Sequence, residues 1–343
     1  MKTPFPRMMK GVLLTGHGGF EKLEARNDIP VPELREHEVL VQVGAAGINN
    51  TDINTRLAWY SKQDGDSSDA SWTGEPLKLP LIQGADVCGR IVAVGAQVSA
   101  SRLGERVLIE PCLKEVNGRF PSRPHYLGSE CNGGFAEFTA VASRHAHVIE
   151  SSLSDVELAS FPCAYSTAEN MLHRAGVQAG ERVLVTGASG GVGSAAVQLA
   201  VARGATVVAV TGAAKADAVR ALGVTQTIDR HESPLAAFGH NQFDVVVVLV
   251  AGQWFPDYLN VLKPNGRYVV AGAIGGAMVE LDVRTLYLKD LRLLGCTELA
   301  DEVFPNLIKL IESEKIRPLV AHVFPLAEIV AAQKLFLQKQ FVG

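Results

Sequence analysis

Residues 182–202 read RVLVTGASGGVGSAAVQLAVA, and this stretch decides the fold because it joins a strand, a turn and a helix. The apolar run 183–185 is typical of a buried strand, and residues 194–202 favour a helix. The turn contains four glycines, Gly187, Gly190, Gly191 and Gly193. Glycines permit a tight turn and let a phosphate approach the main chain, while the helix N-terminus offers N–H groups and partial positive charge. The stretch therefore predicts a strand, a phosphate loop and a helix.

The spacing of the turn matches the dinucleotide-binding fingerprint in part. Ala188 stands at the first glycine position, and Gly190 and Gly193 hold the second and third. Later β-like runs at 205–210, 244–250 and 267–271 alternate with helical segments. This alternation predicts an α/β fold with a parallel, doubly wound sheet. The alternative is a glycine-rich turn in an ordinary α/β domain that binds no ligand.

Composition and charge restrict the function. The chain has 343 residues, which favours two domains, and its 47% hydrophobic content is enough for a large core. The net charge of −4 argues against a nucleic-acid partner. No apolar stretch approaches the ~20 residues of a membrane span, and the N-terminal apolar run is too short for a signal peptide. We therefore expect a cytoplasmic protein without nucleic-acid or membrane partners.

The first part of the chain is β-rich. Short β-like runs lie at 9–14, 39–43, 90–94, 106–109 and 135–141. Two long loops, 61–80 and 112–134, interrupt them, and such loops often form binding walls. Aromatic residues in and beside these loops, Trp59, Tyr60, Trp72 and Tyr126, are candidates for shaping a substrate pocket. The alternative is that these rings only pack the loops onto the domain.

The pattern also predicts the remaining elements. Residues 154–176 are helix-like, with Pro162 as an interruption. After the nucleotide-binding region we predict strands at 278–281, 291–295 and 319–324 and helices at 283–289, 301–314 and 326–338. His145 and His147 would share one face of a strand by period two, as a surface pair.

Five short motifs in a fixed order resemble the medium-chain dehydrogenase/reductase superfamily, and within it the zinc-independent branch of NADPH:quinone oxidoreductases. The motifs are GxNxxD at 47–52, GADxxG at 84–89, GERV at 104–107, GGFAEF at 133–138 and TGASGGVG at 186–193. The resemblance covers nearly the whole chain. It implies a β-rich GroES-like catalytic domain at 1–152 and 296–343 and a Rossmann dinucleotide-binding domain at 153–295. Members generally continue with a KIVL-like strand, so it also implies either a naturally short end or a further strand after Gly343.

Zinc separates this branch from the alcohol dehydrogenases that share the fold. By the resemblance, the three positions of the catalytic zinc ligands hold Asn49, Ala85 and Cys163. Asparagine and alanine do not replace a thiolate and an imidazole, so we expect no metal. None of the five cysteines is spaced as CxxC, which also argues against a zinc knuckle.

Without a metal, the resemblance gives the catalytic roles to Asn49 and Thr51. Asn49 would polarise the substrate carbonyl or contact the nicotinamide ring, and Thr51 occupies the place of a proton-relay hydroxyl. The alternative for both is a loop-stabilising hydrogen bond. A tyrosine common in quinone reductases is replaced by Asn54.

Charge at the end of the second strand of the nucleotide domain predicts NADPH. NAD enzymes usually place an acid there, but here Thr211 is followed by Lys215, and Arg230 could hold a 2′-phosphate. The alternative is that both cations are solvated surface charges. By resemblance the cofactor also contacts further residues, which are Thr167, Ala188, Ser189, Gly190, Gly191, Val192, Gly193, Val250, Ala251, Ala273 and Ile274.

These features predict a zinc-independent oxidoreductase that transfers hydride from NADPH to a quinone or α,β-unsaturated carbonyl acceptor in a cleft between the domains. The alternatives are an enoyl-thioester reductase, a zinc-type alcohol dehydrogenase relative and a non-catalytic NADPH-binding sensor. The resemblance also implies a homodimer that pairs through the sheet edge near residues 278–295.

Overall fold

The computed structural model describes residues 5–62, 67 and 69–343. Its strands are β1 Met8–Leu14, β2 Leu23–Pro30, β3 Glu38–Gly47, β4 Leu81–Ile82, β5 Asp86–Val94, β6 Arg106–Ile109, β7 Cys112–Leu113, β8 His125–Tyr126, β9 Phe138–Ala142, β10 Ala146–Val148, β11 Arg182–Val185, β12 Thr206–Thr211, β13 Gln226–Asp229, β14 Phe243–Val248, β15 Leu262–Val270 and β16 Arg292–Gly295. Its α-helices are α1 Asn50–Arg56, α2 Asp155–Leu158, α3 Pro162–Ala175, α4 Gly191–Ala202, α5 Ala216–Arg220, α6 Pro234–Phe238, α7 Phe255–Val261, α8 Val283–Leu288, α9 Val303–Glu312 and α10 Ile329–Gln338. Short 3₁₀ turns lie at Phe20–Lys22, Ala100–Arg102, Ser143–His145, Ala213–Lys215, Gly252–Trp254 and Leu326–Glu328.

The chain divides into two compact units. Unit 1 contains Met1–Cys163 and His322–Gln338, and unit 2 contains Ala164–Ala321 and Lys339–Gly343. By the resemblance, 153–163 belongs to the Rossmann domain and 339–343 to the β-rich domain, whereas here the first lies in unit 1 and the second in unit 2. The resemblance also places 296–321 in the β-rich domain, whereas here this segment belongs to unit 2. Hydrogen bonds within unit 2 hold it there, since the Tyr165 hydroxyl donates to the carbonyl of Arg317 and Asn170 Nδ2 donates to that of Glu298.

Unit 1 is built from antiparallel sheets. One sheet has the order β2-β1-β4, a second has the order β10-β6-β5-β3-β9, and β7 pairs with β8. Side chains of β1, β3 and β4 form a core that α10 closes through Ile329. The β-rich first domain expected from the sequence is confirmed in this unit.

Unit 2 contains a parallel sheet of the order β13-β12-β11-β14-β15-β16. Counted within the unit, this is the 3-2-1-4-5-6 order of doubly wound dinucleotide-binding folds. The strands β11, β12 and β14 read as nearly continuous valine and leucine runs, because helices cover both faces of such a sheet. The predicted doubly wound α/β fold is therefore confirmed.

Two predicted strands are wrong. Residues 278–281 and 319–324 form no strand in the described part of the chain, and Met278 is 92% exposed. A β-like composition forms a strand only where a neighbouring strand supplies backbone partners and buried side-chain contacts. Within the described ranges, no helix is long and apolar enough to cross a membrane.

Candidate active site

The loop between β11 and α4 in unit 2 is a tight glycine turn. Gly187 has φ +60°, a left-handed conformation that favours glycine. A Cβ on Gly193 would lie 2.1 Å from the carbonyl oxygen of Gly187, so the helix approaches the turn too closely for any side chain there. The amide of Gly190 donates to the same carbonyl at 3.0 Å, which closes the turn.

The N-terminus of α4 follows this turn, with Gly190 exposed and Gly343 packed beside it, since the amide of Gly343 donates to the carbonyl of Ser189 at 3.1 Å. Its N-cap, Gly190, carries no side chain, and a Cβ built there would meet only the Gly187 oxygen, at 3.5 Å. Gly191, Val192 and Gly193 begin the helix, and the first amides of a helix have no intrahelical partner. Backbone N–H groups and the helix dipole together make this loop, which includes Ala188 and Ser189, fit for a pyrophosphate.

Other predicted cofactor residues lie around the same loop. Val250 Cγ2 would lie 3.0 Å from a Cβ on Gly187, and the Val250 carbonyl accepts from the amide of Gly275 at 2.8 Å. This bond brings the segment with Ala251 beside the one with Ala273 and Ile274. Ala164 of α3 lies against Gly191, and Thr167 follows one turn later on that helix. The structure thus brings the loops after β11, β14 and β15 to one edge of the sheet.

Positive charge gathers at the end of β12. The Arg230 guanidinium lies 4.0 Å from the position of a Cβ on Gly212. Burial lowers the pKa of Lys215, and repulsion from Arg230 lowers it further. Lys215 Nζ also donates to the carbonyl of Lys339. Burial and the charge of Lys215 lower the pKa of Lys339 to about 8. The two predicted cations therefore lie close together, and Lys339 is a third that the sequence did not indicate.

Thr211 is the last residue of β12, and its side chain is buried. Its Oγ1 is buried and has no hydrogen-bond partner among the described residues. The nearby carboxylate of Asp229 accepts from the amides of Ala213 and His231, at 3.0 Å and 2.9 Å. The carboxylate is thus engaged by the protein, and the cations dominate this end of the strand.

In unit 1, Asn49 precedes α1 and its side chain reaches β5. Asn49 Nδ2 donates to Oδ2 of Asp86 at 2.6 Å, and the amide of Cys163 donates to the other oxygen of that carboxylate. A second carboxylate, Asp52, accepts from the amides of Asn49 and Gly84 at 2.7 Å and 3.2 Å. The orientation of Asn49 is fixed, because an amide nitrogen that donates to Asp86 leaves the carbonyl oxygen on the other side.

The two carboxyl groups are both buried. Burial raises the pKa of Asp52 to about 7, and the nearby charge of Asp86 adds to this effect. Burial raises the pKa of Asp86 to about 6, although the hydrogen bonds from Asn49 and Cys163 oppose it. Burial and both carboxylates hold the pKa of the Cys163 thiol well above its ordinary value. Cys163 is therefore a thiol and not a thiolate at neutral pH.

This donor set does not fit the zinc that the related fold can carry. Ala85 has no donor atom and Asn49 is bound to Asp86, so Cys163 is the one cysteine or histidine at the three ligand positions. The described residues contain no group of three or more His, Cys, Asp and Glu side chains that could hold a metal ion. The catalytic zinc of the related fold uses two thiolates and an imidazole, and the imidazole and one thiolate are absent at these positions.

Four aromatic side chains lie near Thr51 of α1. We call these side chains, Trp59, Tyr60, Trp72 and Tyr126, the aromatic array. Trp72 and Tyr126 are stacked, with ring centroids 4.1 Å apart and planes 20° apart. Tyr60 lies 5.5 Å from Trp72, and Trp59 lies 5.5 Å from Tyr60 in an edge-on arrangement. The structure thus brings the four predicted pocket residues together, and Trp72 contacts both Tyr60 and Tyr126.

The predicted histidine surface pair is wrong for His145. Its ring is 1% exposed and lies in a 3₁₀ turn, with Nδ1 3.0 Å from the buried carboxylate of Glu110. The amides of Lys114 and Glu115 donate to Nε2, so the proton is on Nδ1 and the ring is neutral. His147 Nε2 lies 3.4 Å from the same carboxylate. The pair is a structural cluster.

Sequence reasoning named neither Asp52 nor Asp86 as a site residue. Both lie in the quoted motifs GxNxxD and GADxxG, so the signal was present without a role attached. The sequence did not indicate the bond of Trp72 to Thr51 or a role for Lys339, because their partners lie far away in sequence.

Two family models match the chain. Residues 35–151 match the alcohol dehydrogenase GroES-like domain, and residues 191–313 match the zinc-binding dehydrogenase model. The first match confirms the GroES-like character of the β-rich domain.

Curated relatives and solved structures are similar over nearly the full length. A quinone oxidoreductase from Lama guanicoe is 28% identical over 96% of this chain and 93% of its own, and a 2-methylene-furan-3-one reductase from Solanum lycopersicum is 29% identical over 92% and 72%. A crystal structure from Sinorhizobium meliloti 1021, provisionally described as an alcohol dehydrogenase, is 46% identical with a TM-score of 0.91 over 99% of this chain and 96% of that one. A 2-octenoyl-CoA carboxylase reductase in complex with NADP and 2-octenoyl-CoA is 26% identical, with a TM-score of 0.84 over 99% and 87%.

Proposed function

The chain belongs to the medium-chain dehydrogenase/reductase superfamily, as a quinone oxidoreductase-like member, and from this membership we propose that it is a zinc-independent, NADPH-dependent reductase of quinones or other α,β-unsaturated carbonyl compounds. One observation carries the proposal. Asn49, at the position of a zinc ligand, donates to the buried carboxylate of Asp86 and forms a hydrogen-bonding site in place of a metal site. That the chain is an oxidoreductase follows from the family; the cofactor and the acceptor class are our proposals.

NADPH is the cofactor that the residues of unit 2 fit best. The bound dinucleotide would supply a hydride, and water would supply the proton that completes reduction of the acceptor. The N-terminus of α4, with its glycine N-cap, would hold the pyrophosphate. Lys215 and Arg230 would hold a 2′-phosphate, because a guanidinium binds phosphate oxygens in pairs.

Asn49 and Thr51 would stabilise the negative charge that develops on the acceptor oxygen. One N–H of Asn49 donates to Asp86, and an amide group has a second N–H. Preorganised donors of this kind contribute about 10²–10³-fold to rates of carbonyl chemistry. The donor set does not support metal chemistry, because asparagine and alanine stand at two of the three ligand positions.

The aromatic array would bind the acceptor. Flat aromatic rings offer contact area and stacking to a planar quinone or enone, and Trp59, at 43% exposed, leaves a ring face accessible. The related reductases of a quinone and of a furanone agree with this acceptor class.

We also propose a homodimer that pairs through the edge strand β16. Apolar side chains are exposed on β16 and on the segment before it, which are Ile274, Met278, Val279, Leu281, Val283, Tyr287, Leu288 and Leu293. An edge strand with a large apolar surface is a typical association site. Light scattering of the wild-type protein should give twice the chain mass, and Leu293→Asp should lower it to the mass of one chain. A wild-type monomer, or a dimer that Leu293→Asp leaves intact, would contradict the pairing.

A binding and turnover experiment tests the function. Calorimetric titration with NADPH and NADH should give the tighter binding for NADPH. Oxidation of bound NADPH is then followed with a panel of quinones, enones and an enoyl-CoA thioester. Turnover of quinones or enones supports the proposal, preference for the thioester moves the activity to the related reductase class, and tight binding without any turnover indicates a sensor.

A further inference from the structure

The Thr51 hydroxyl accepts two hydrogen bonds from the aromatic array. Trp72 Nε1 lies 2.9 Å from Thr51 Oγ1, and the Tyr60 hydroxyl lies 3.3 Å from the same atom. An indole nitrogen can only donate, so Thr51 is the acceptor in that bond. A hydroxyl oxygen has two lone pairs, and both are then used. Its proton is therefore directed to a third group.

Trp72 is held firmly although it comes from the long 61–80 loop. Its ring stacks on Tyr126 of β8. One carboxylate fixes both backbones, because Glu130 Oε1 accepts from the amide of Thr73 at 3.1 Å and Oε2 accepts from the amide of Tyr126 at 2.9 Å. The preceding residue, Ser71, is buried and its hydroxyl accepts from the amide of Glu75. The indole N–H is thus aimed at Thr51 by packing and by the backbone.

We propose that Trp72 is a positioning residue whose indole N–H, with the Tyr60 hydroxyl, makes Thr51 a dedicated hydrogen-bond donor to the oxygen of the reduced acceptor. The inference rests on the proposed function, since it assigns the use of the Thr51 proton in that reaction. A threonine without these two donors could turn its proton toward a protein acceptor or water. With both lone pairs used, the hydroxyl is ready to donate before charge develops, which is the condition for efficient electrostatic stabilisation.

The first test observes the hydrogen bond itself. The chain has three tryptophans, so ¹⁵N-indole labelling gives signals from Trp59, Trp72 and Trp254, each assigned with its Trp→Phe variant. In Thr51→Val, the Trp72 indole signal should move upfield and its hydrogen should exchange about tenfold faster with solvent, because the acceptor is gone. The Trp254 signal, whose N–H donates to the carbonyl of Arg230 at 3.2 Å, serves as the internal control. An unchanged Trp72 signal would overturn the inference.

The second test asks whether Trp72 acts through Thr51. Trp72→Phe keeps an aromatic ring for the stack on Tyr126 but removes the N–H. It should lower kcat about tenfold with little change in acceptor KM, while Thr51→Val lowers it about 10²-fold. The double variant should match Thr51→Val within about twofold, because the two side chains act as one unit.

The outcomes separate the two claims. If the wild-type protein turns over NADPH with an acceptor and the two substitutions multiply in the double variant, Trp72 does not act through Thr51 and the inference fails. If the wild-type protein has no turnover with any acceptor, the proposed function fails, and with it the use assigned to the Thr51 proton, whatever the indole signals show. A fall in acceptor affinity with constant kcat for Trp72→Phe would mean that the ring only lines the pocket.

Discussion

Asn49 and Asp86 lie 37 residues apart, and Asn49 Nδ2 donates to Oδ2 of Asp86 over 2.6 Å. This contact defines the polar site of unit 1, because the same carboxylate also accepts from the amide of Cys163. The amide of Asn49 is thereby held by a buried acid.

Substitution of Asn49 should reduce activity strongly and stability only slightly. Asn49→Ala should lower kcat/KM for the carbonyl acceptor about 10²-fold, because a preorganised donor is lost. Asn49 also precedes α1, so the free energy of unfolding should fall by about 1 kcal/mol. Steady-state kinetics and urea unfolding measure the two effects. Asn50→Ala, at the exposed next position, is the matched control, and equal kinetics for both variants would refute the role of Asn49.

The buried carboxyl pair predicts a pH-dependent stability. Burial raises the pKa of Asp52 to about 7 and that of Asp86 to about 6, whereas both titrate near about 4 in an unfolded chain. Between these values the folded protein binds more protons than the unfolded chain, so the free energy of unfolding falls as pH rises. It should be higher at pH 5 than at pH 8, by on the order of 2 kcal/mol.

Urea unfolding at pH 5, 6, 7 and 8 tests this prediction. The loss should be nearly complete only by about pH 8, since Asp86 is largely ionised at pH 7 but Asp52, with a pKa of about 7, is then only half ionised. Asp52→Asn should flatten the profile because it removes the group with the larger shift. A stability that increases from pH 5 to pH 8 in the wild-type protein would show that these carboxylates are stabilised when charged.

The Glu110 cluster should make His145 important for folding. Burial opposes ionisation of Glu110, but hydrogen bonds from His145 and His147 lower its pKa to about 2. His145→Ala would leave a buried carboxylate without its closest donor and should cost about 2–3 kcal/mol of unfolding free energy. His147→Ala is the control and should cost less than about 1 kcal/mol, because its ring is more exposed and its contact is longer. Equal losses would contradict the assigned geometry.

Arg230 should determine the choice of dinucleotide. Arg230→Ala should raise the Kd for NADPH about 10–100-fold and leave the Kd for NADH within about twofold, because the guanidinium would contact the 2′-phosphate. Arg220→Ala, an exposed arginine of the same unit paired with Asp217, is the control. Calorimetry with both dinucleotides measures the effect, and an equal weakening of the two would place Arg230 elsewhere in the site.

Much of unit 2 could be predicted because its signals are local. The apolar run 183–185, the glycine turn and the helix after it lie within one stretch, and parallel strands buried on both faces read as continuous apolar runs. The observed β11 and α4 match that prediction closely. The strand predicted at 278–281 is wrong because strand formation there depends on a distant partner. A β-like composition does not show whether a neighbouring strand is present.

The polar site of unit 1 could be predicted only in part. The motifs led to Asn49 and Thr51 through the resemblance, but the Asn49–Asp86 hydrogen bond depends on the pairing of β3 with β5, which places Gly47 opposite Asp86. Trp72 lies in a sequence segment without periodicity, and its hydrogen bond to Thr51 joins residues 21 positions apart. Such contacts follow from how a loop folds back, which residue spacing does not encode.

The most direct measurement is the rate of NADPH oxidation by a quinone, taken before and after dialysis of the protein against a zinc chelator. We expect the same rate in both samples, because Asn49, Thr51 and the cofactor supply the chemistry. A rate that collapses after dialysis and returns with added Zn²⁺ would contradict it, since the reaction would then depend on a metal that this donor set is not suited to hold.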